Sequence, residues 1–202
     1  MPDFVLDKAV PLPRDLTPVQ IRKAVEYVEK TASDFVDLYR EQKNIFSAVI
    51  SILGSKALDQ FTAWERVPHH HQMQQRFPDL RHRSARTPIK PDLALESKGS
   101  TRPWAVQAHY DHPGWYVIWR YLVDDTGTLG KGKPVVIWRV DIVFLQKDDW
   151  KYEGSSAGTA GGGRTHTFGL HRPAEKLNGK AVYYRDDIAL RAGKPVPING
   201  HD

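Results

Sequence analysis

Cysteine is absent from this chain of 202 residues, and methionine occurs only twice. The absence of cysteine excludes disulfide bonds, thiolate catalysis and cysteine-ligated zinc, and it favours a reducing cytoplasm as the location. Long apolar runs are also missing, since none approaches the roughly 20 residues that span a bilayer. The first fifteen residues carry acids and have no apolar core, so we expect neither a secretory signal nor a membrane partner.

The residues that are present are typical of a single globular domain, 40% hydrophobic and 26% charged. The formal charge of +5 is unevenly distributed along the chain. Residues 1–60 hold 8 Lys and Arg against 9 Asp and Glu, residues 61–130 hold 9 against 7, and residues 131–202 hold 12 against 8. The later two-thirds of the chain are therefore suited to face a polyanion.

The first third of the chain has the pattern of helices. Thr17, Pro18 and Gln20 match an N-cap, a proline at the first helical position and a capping-box partner. Apolar residues at helical spacing predict four helices in succession: one from Pro18, one from about Ser33, one that stops at Gly54, and one from Ser55 to about Trp64.

Short segments rich in Val, Ile, Trp and Tyr predict strands after Pro68. The clearest are Asp92–Lys98, Trp115–Val123 and Val135–Leu145, the last two joined by a hairpin loop at Asp124–Pro134. A strand at Lys151–Ser155, a short helix at Pro173–Leu177 and a last edge strand at Val182–Tyr184 follow.

These elements predict an α+β fold, with N-terminal helices followed by a central mixed β-sheet core flanked by helices. We treat residues 1–202 as one domain with three parts. Residues 1–66 form the helical part and residues 67–153 the sheet core. Residues 154–202 begin with a glycine-rich stretch and complete the chain.

Glu96 and Lys98 are predicted to lie side by side on the first of these strands. Because side chains alternate along a strand, Leu93 and Leu95 would face the core while Glu96 and Lys98 face the opposite side. A carboxylate and an ammonium on a strand whose back is buried are costly unless something binds there.

Asp79 supplies a second carboxylate, directly after Pro78 and separated from Glu96 by sixteen residues. Phosphodiester hydrolysis needs a divalent cation held by one or two carboxylates, with the other positions left to water and phosphate oxygens. Two acids on neighbouring strands can provide those ligands. A nearby ammonium can position or help deprotonate the attacking water and can stabilise charge on phosphorus.

The set Pro78, Asp79, Glu96 and Lys98 resembles the motif of the PD-(D/E)XK nuclease superfamily, which includes most type II restriction endonucleases. The resemblance implies a mixed sheet flanked by helices, Mg²⁺ held by Asp79 and Glu96, and Lys98 acting on the attacking water. By analogy with restriction enzymes we expect double-stranded DNA as the substrate and a homodimer whose two-fold axis relates two active sites.

Two further acids are candidates for the same centre. Some members of the superfamily add an acid from the preceding helix, and Glu65 is suitably placed for that role. Asp92 follows Pro91 and is an alternative to Asp79. On the predicted strand, however, Asp92 would lie about 13 Å from Glu96 at about 3.3 Å per residue, too far for one small ion.

Candidate DNA-binding residues fall in two segments. Arginines surround Asp79, and a guanidinium binds phosphate or guanine edges bidentately. In the glycine-rich stretch Gly154–Gly169, glycines and hydroxyls would let backbone N–H groups approach a phosphate; a solvated basic loop and a flexible linker are the alternatives for the two segments. The candidates are Arg76, Arg81, Arg83, Arg86, Arg102, Arg164, Thr165, His166 and Thr167.

Tryptophans and arginines inside the predicted strands have mainly structural interpretations. We expect the tryptophans to lie in the core rather than to stack on bases. Arg120 and Arg139 would either face outward, where they could reach DNA, or pair with Asp141. The tryptophans concerned are Trp115, Trp119, Trp138 and Trp150.

Histidine clusters offer a different chemistry. His109, Asp111 and His112 could bind zinc or iron, or they could be hydrogen-bonded residues of a turn. The contiguous His69–His71 cannot all face one ion. The leading hypothesis is a Mg²⁺-dependent endonuclease, and the finer hypothesis is a site-specific type II restriction enzyme. The alternatives are a non-catalytic DNA-binding module and a metallohydrolase centred on His109–His112.

Overall fold

Helices dominate the first third of the chain and strands dominate the rest. The structure is a computed structural model, and it describes residues 4–68, 77–127, 129, 132–157 and 164–198, without the side chains of Asn44, of residues 155–157 and of residues 164–165. The helices are α1 (Pro18–Ser33), α2 (Val36–Glu41), α3 (Lys43–Phe61) and α4 (Pro173–Leu177). None of the helices in these ranges is long and apolar enough to cross a membrane.

The predicted start of α1 is confirmed. Thr17 Oγ1 accepts a hydrogen bond from the Gln20 backbone N–H at 3.3 Å, and Gln20 Oε1 accepts one from the Thr17 N–H at 2.8 Å. This reciprocal capping box satisfies two of the N–H groups that a helix start leaves open.

The prediction of two helices meeting at Gly54 is wrong, because α3 runs through that residue without a break. A β-carbon at Gly54 would lie 2.2 Å from Trp119 Nε1 and 3.0 Å from Ser97 Oγ. The glycine therefore allows the helix to approach the sheet closely, and it is not a stop signal.

Twelve strands occur in the described ranges: β1 (Val5–Leu6), β2 (Trp64–Arg66), β3 (Leu80–His82), β4 (Ala94–Ser100), β5 (Gln107–Ala108), β6 (Gly114–Val123), β7 (Val135–Leu145), β8 (Trp150–Ala157), β9 (Arg164–Leu170), β10 (Ala181–Tyr184), β11 (Ile188–Arg191) and β12 (Lys194–Pro197). Seven of them form one mixed sheet in the order β1-β10-β7-β6-β4-β3-β2. Only β4 and β6 pair in parallel within this sheet; the other neighbours are antiparallel. The α+β class is confirmed.

The sheet is covered on both faces. On one face, α1 and α3 pack against side chains such as Leu95, Val117 and Trp119. On the other face, Tyr116 and Ile118 pack against the second sheet β5-β9-β8 and against α4. Because β6 lies at the centre of the large sheet with apolar residues on both faces, its sequence is a nearly continuous apolar run.

Several strand predictions need correction at their ends. Asp92 lies outside β4, in a 3₁₀ turn at Pro91–Leu93 that precedes it, and it is exposed. β10 is not an edge strand, since β1 pairs with it on the outer side. The glycine-rich stretch is in part β structure, because β8 and β9 extend into it, and Phe168 and Leu170 of β9 pack in the core on the Tyr116 and Ile118 face of the large sheet.

Candidate active site

Strand pairing brings Asp79, Glu96 and Lys98 together. β3 runs antiparallel to β4 with Leu80 opposite Leu95, so that Asp79, directly before β3, lies opposite Glu96. Leu95 packs into the helical core, whereas Glu96 and Lys98 project from the other face of β4, as strand alternation predicted. Three residues separated by up to nineteen positions thus share one surface.

Asp79 and Glu96 are held by each other's strand. The Glu96 carboxylate accepts a hydrogen bond from the Asp79 backbone N–H at 3.1 Å, and the Asp79 carboxylate accepts one from the Ser97 backbone N–H at 2.9 Å. Hydrogen bonds from N–H groups to carboxylates are among the stronger ones in proteins. The two carboxylates are therefore fixed relative to the backbone and to one another.

Lys98 completes the cluster. Its Nζ donates to Glu96 Oε1 at 2.7 Å, and the two side chains are only 20% and 12% exposed. Burial disfavours the ammonium form, but the negative charges of Glu96 and Asp79 and the hydrogen bond to Glu96 outweigh it and raise the pKa of Lys98. In this arrangement Lys98 is a cation that donates hydrogen bonds.

Tyr116 lies beside Glu96, its register partner on the parallel strand β6. Burial and then the negative charges of Glu96, Asp111 and Asp79 raise the pKa of the Tyr116 phenol far above its ordinary value. The neutral hydroxyl donates to the carbonyl oxygen of His112 at 2.9 Å. Tyr116 is therefore a neutral side chain that lies next to the carboxylates of the cluster.

Helix α3 supports β4 from behind. Ser97 Oγ donates to the Ser51 carbonyl oxygen at 2.8 Å, and Ser51 Oγ accepts from the Gly99 N–H at 2.7 Å. Trp119 Nε1 in turn donates to Ser97 Oγ at 2.9 Å. These bonds fix the backbone of the strand that carries Glu96 and Lys98. Ser51 and Ser97 were not among the predicted site residues. The small residues Gly54, Ser55, Ser97 and Gly99 were the sequence signal for close packing between the helix and the strand.

The chemistry of the cluster fits a small hard cation. Mg²⁺ prefers oxygen ligands and is commonly bound through one or two carboxylates, with water and phosphate oxygens in the remaining positions. Asp79 and Glu96 would be the protein ligands. Within the described ranges no group of three or more His, Cys, Asp or Glu residues gathers in a metal-binding arrangement.

Glu65 and Asp92, the two further candidate acids, lie differently from what we expected. Glu65 is on β2 rather than on a helix, and its carboxylate binds Arg81 at 2.8 Å and Arg83 at 3.2 Å. Asp92 is an exposed residue of the 3₁₀ turn before β4 and is absent from the hydrogen bonds that join Asp79 to Glu96. Of the candidate acids, it is Asp79 that the structure joins directly to Glu96.

The arginines near Asp79 are not equivalent. Arg81 and Arg83 are engaged by Glu65, and Arg83 also binds Asp59 at 2.6 Å. Arg86 is exposed and forms no ion pair with another residue of the described ranges. Arg76 lies outside the described residues, as do His69–His71. Arg86 is thus better placed than Arg81 or Arg83 to meet a polyanion.

The candidates in the glycine-rich stretch belong to β9. Residues 164–167 pair with β8, in the register Thr167 opposite Gly154 and His166 opposite Ser155. His166 is exposed and its Nδ1 lies 3.4 Å from the Tyr152 hydroxyl. The side chains of Arg164 and Thr165 and the whole of residues 158–163 lie outside the described part of the chain.

The His109–His112 segment is held by ring contacts and polar contacts. The His112 ring contacts those of Phe77 and Tyr110, with centroids 5.0 and 5.2 Å away. His109 Nδ1 is 3.3 Å from the carbonyl oxygen of His166, and Asp111 faces Lys147 at 3.8 Å. His109, Asp111 and His112 do not form a metal-binding group, so the hydrogen-bonded turn is the interpretation that fits.

A cleft of about 370 Å³ opens next to Lys98. Its walls are formed by residues 98–102 and 105–107 and by Ser47 of α3. Arg102, a candidate for DNA binding, is exposed at this cleft. Ser47 and Gln107 could not be connected with the site from local sequence patterns, because the packing of α3 and β5 brings them to the cleft.

The expected core role of the tryptophans is confirmed. Trp119, Trp138 and Trp150 are buried, and Trp115 is half-buried against the core between the large sheet and the helices α1 and α3. Arg120 and Arg139 pair with Asp141, at 3.0 and 2.6 Å. The alternative that they reach DNA is wrong, since Arg120 has no exposed surface and Arg139 is 9% exposed.

Comparison with protein-family models, with curated proteins and with solved structures finds no match to this chain.

Proposed function

We propose that this protein is a Mg²⁺-dependent endonuclease that hydrolyses DNA phosphodiester bonds, with Asp79 and Glu96 as metal ligands and Lys98 as the cationic catalytic residue. The observation that carries the proposal is the reciprocal bonding of Asp79 and Glu96 across β3 and β4, with Lys98 at 2.7 Å from Glu96. Two fixed carboxylates and one ammonium on a half-buried surface suit a phosphoryl centre.

Each residue has a distinct role in this proposal. Asp79 and Glu96 present oxygens in positions that the backbone already fixes, so little reorganisation is needed when a cation and a phosphate arrive. Lys98 orients the attacking water and stabilises the negative charge that grows on the phosphate oxygens. Bound Mg²⁺ would supply a Lewis acid that polarises the phosphate and lowers the pKa of a coordinated water.

Cleavage of plasmid and phage DNA in the presence of Mg²⁺ tests the proposal. We expect wild-type protein to cleave, and Asp79→Asn, Glu96→Gln and Lys98→Ala each to lower the rate by about a hundredfold or more. His109→Ala is the matched control, because it removes the centre of the alternative metal site and should leave the rate unchanged. Circular dichroism melting would verify that all variants fold.

The pattern of products separates the finer hypotheses. Discrete bands indicate a site-specific enzyme of the restriction type, whereas a smear indicates a degradative or repair nuclease. Salt-sensitive DNA binding without any cleavage, across diverse DNA and divalent ions, would reject the nuclease proposal in favour of a DNA-binding module. Cleavage lost in His109→Ala but kept in Lys98→Ala would favour the metallohydrolase.

A further inference from the structure

The cleft beside Lys98 has a lining suited to a sugar-phosphate backbone. Its charged side chains are Lys98 and Arg102, both cationic, and Ser47, Ser100 and Thr101 contribute hydroxyl groups. No acidic or aromatic residue is among the residues that form its walls, all of which the structure describes. Hydroxyls and cations bind phosphate and sugar, whereas unstacked bases are typically bound by stacking on aromatic side chains.

One wall of this cleft is held from inside the protein by Arg120. The Arg120 Nη1 donates to the carbonyl oxygens of Arg102 at 2.8 Å and Ala105 at 2.7 Å, and Nη2 lies 3.4 Å from that of Trp104. Arg120 is fully buried and its Nε donates to Asp141. A single guanidinium thus binds three carbonyl groups of one turn.

Arg139 braces the same turn. Its guanidinium stacks 4.5 Å from the centroid of the Trp104 ring and binds the second oxygen of Asp141 at 2.6 Å. Ser100 Oγ closes the turn by accepting the Arg102 N–H at 3.2 Å. The backbone of residues 100–105 is therefore tied to buried charges, while the Arg102 side chain stays exposed at the cleft.

Burying an arginine–aspartate–arginine set is expensive, and an apolar set of similar volume often gives equal or greater stability. A stabilising role alone therefore accounts poorly for these three residues. The Arg120 Nη groups are directed at one turn, which is the turn that carries Arg102, and Arg139 stacks on Trp104 of that turn while donating to the Leu177 carbonyl oxygen at 3.2 Å. The geometry favours a role in fixing the shape of the cleft.

We propose that the cleft is a subsite for the sugar-phosphate backbone next to the scissile bond. Arg102 binds a phosphate group in this subsite, and Arg120 is a positioning residue that holds residues 101–105 as its wall. The inference rests on the proposed nuclease function, because it assigns this cleft to the same DNA. It assigns the subsite a sequence-independent contribution to binding, since the contacts are to the backbone alone.

Binding of two duplexes of unrelated sequence, measured by fluorescence anisotropy over a range of salt without Mg²⁺, tests the role of Arg102. We expect Arg102→Ala to weaken both duplexes equally, by about tenfold, and to reduce the slope of log K against log salt by about one. Arg22→Ala is the matched control, because Arg22 lies over the Phe4 ring near β1, at the opposite edge of the sheet.

A double-mutant cycle tests the role of Arg120. If Arg120 acts through Arg102, Arg120→Lys weakens DNA binding in the wild-type background but has little further effect in the Arg102→Ala background. In cleavage assays it raises KM for DNA more than it lowers kcat. Val140→Ala on β7 is a control for general destabilisation, since Val140 belongs to the other face of the sheet. Its effect should be the same in both backgrounds.

Trp104→Leu provides a second route if Arg120→Lys fails to fold, because it loosens the same turn by removing the stacking on Arg139 and keeps both arginine–Asp141 ion pairs. Additive effects in the cycle, or an unchanged salt slope in Arg102→Ala, would overturn this inference while cleavage through Asp79, Glu96 and Lys98 stands. Absence of both binding and cleavage in the wild-type protein would overturn the nuclease proposal and this inference together.

Discussion

Two individual residues, Gly54 and Glu29, decide how closely a helix packs on the sheet and how a buried carboxylate is hydrogen-bonded. Gly54 lets α3 come within contact distance of the indole of Trp119. Glu29 reaches from α1 to the sheet, where its carboxylate accepts the Ile137 N–H at 3.0 Å next to an irregularity in the β6–β7 pairing. Each of these roles leads to a prediction for a single substitution.

Gly54→Ala should destabilise the protein, although alanine is normally the better helix former by about 1 kcal/mol. The new β-carbon would overlap Trp119, and overpacking of this kind costs about 1–3 kcal/mol. Denaturant unfolding measures the change. Lys56→Ala, an exposed change on the same helix, serves as the control and should stay within about 0.5 kcal/mol. A stabilised Gly54→Ala protein would contradict the contact.

Glu29→Gln should change how stability depends on pH. Burial raises the pKa of Glu29 above its ordinary value of 4.5, although the Ile137 N–H and Lys133 oppose the shift. The folded state therefore binds more protons than the unfolded state just above pH 4.5, so this residue costs stability as pH rises through that range. Unfolding measured from pH 4 to pH 7 should show the wild-type protein losing stability relative to Glu29→Gln. Parallel pH profiles would contradict the expectation.

At the scale of elements, the site depends on how α3 docks against β4. Two serines, Ser51 on the helix and Ser97 on the strand, link the elements through hydrogen bonds on the face opposite Glu96 and Lys98. The central position of β6 fixes the other side of β4 through the parallel register. The surface that carries Glu96 and Lys98 is therefore supported by elements that contribute no residue to the proposed catalytic set.

Ser51→Ala should lower both stability and DNA cleavage. It leaves the Gly99 N–H without its serine acceptor, which costs about 1 kcal/mol, and it loosens the strand that carries Glu96 and Lys98. Ser33→Ala is the matched control, because among the described residues the Ser33 hydroxyl bonds back to the Glu29 carbonyl of its own helix and to no other element. Thermal melting and cleavage rates compare the two variants. Equal behaviour of both would show that the link is dispensable.

For the whole molecule, the sheet separates two surfaces. The face with Asp79, Glu96 and Lys98 borders the cleft, where Arg102 is an exposed cation. The opposite face is covered by α1 and α3, whose part of the chain is close to neutral. Under the proposed function, we expect the excess of positive charge in the later two-thirds of the chain to face DNA and the helical side to serve dimer assembly.

We expect the protein to act as a homodimer. Two-fold symmetry would place two active sites on the two strands of duplex DNA. Light scattering should therefore give twice the chain mass of 23.0 kDa at working concentration, and supercoiled plasmid should pass to the linear form without accumulating nicked circles. A monomer that only nicks would contradict this expectation and leave the catalytic residues untouched.

Much of the fold was predictable because local rules dominate it. The capping box at Thr17 predicted the start of α1, and the apolar runs of β6 and β7 predicted both strands and their hairpin; the structure confirms these elements. The predicted helix end at Gly54 is wrong because a glycine in a helical pattern has the same local signature whether it ends the helix or allows a side chain from another element to pack closely. Only the position of Trp119, distant in sequence, distinguishes the two.

The sequence by itself determined which faces of β4 carry Leu95 on one side and Glu96 with Lys98 on the other, since alternation along a strand is local geometry. The tertiary structure decided that Asp79 rather than Asp92 meets Glu96, because the antiparallel register of β3 and β4 is set by packing between segments. It also decided that Arg120 faces inward to hold the Arg102 turn, since only the buried Asp141 and three carbonyl groups make that burial tolerable.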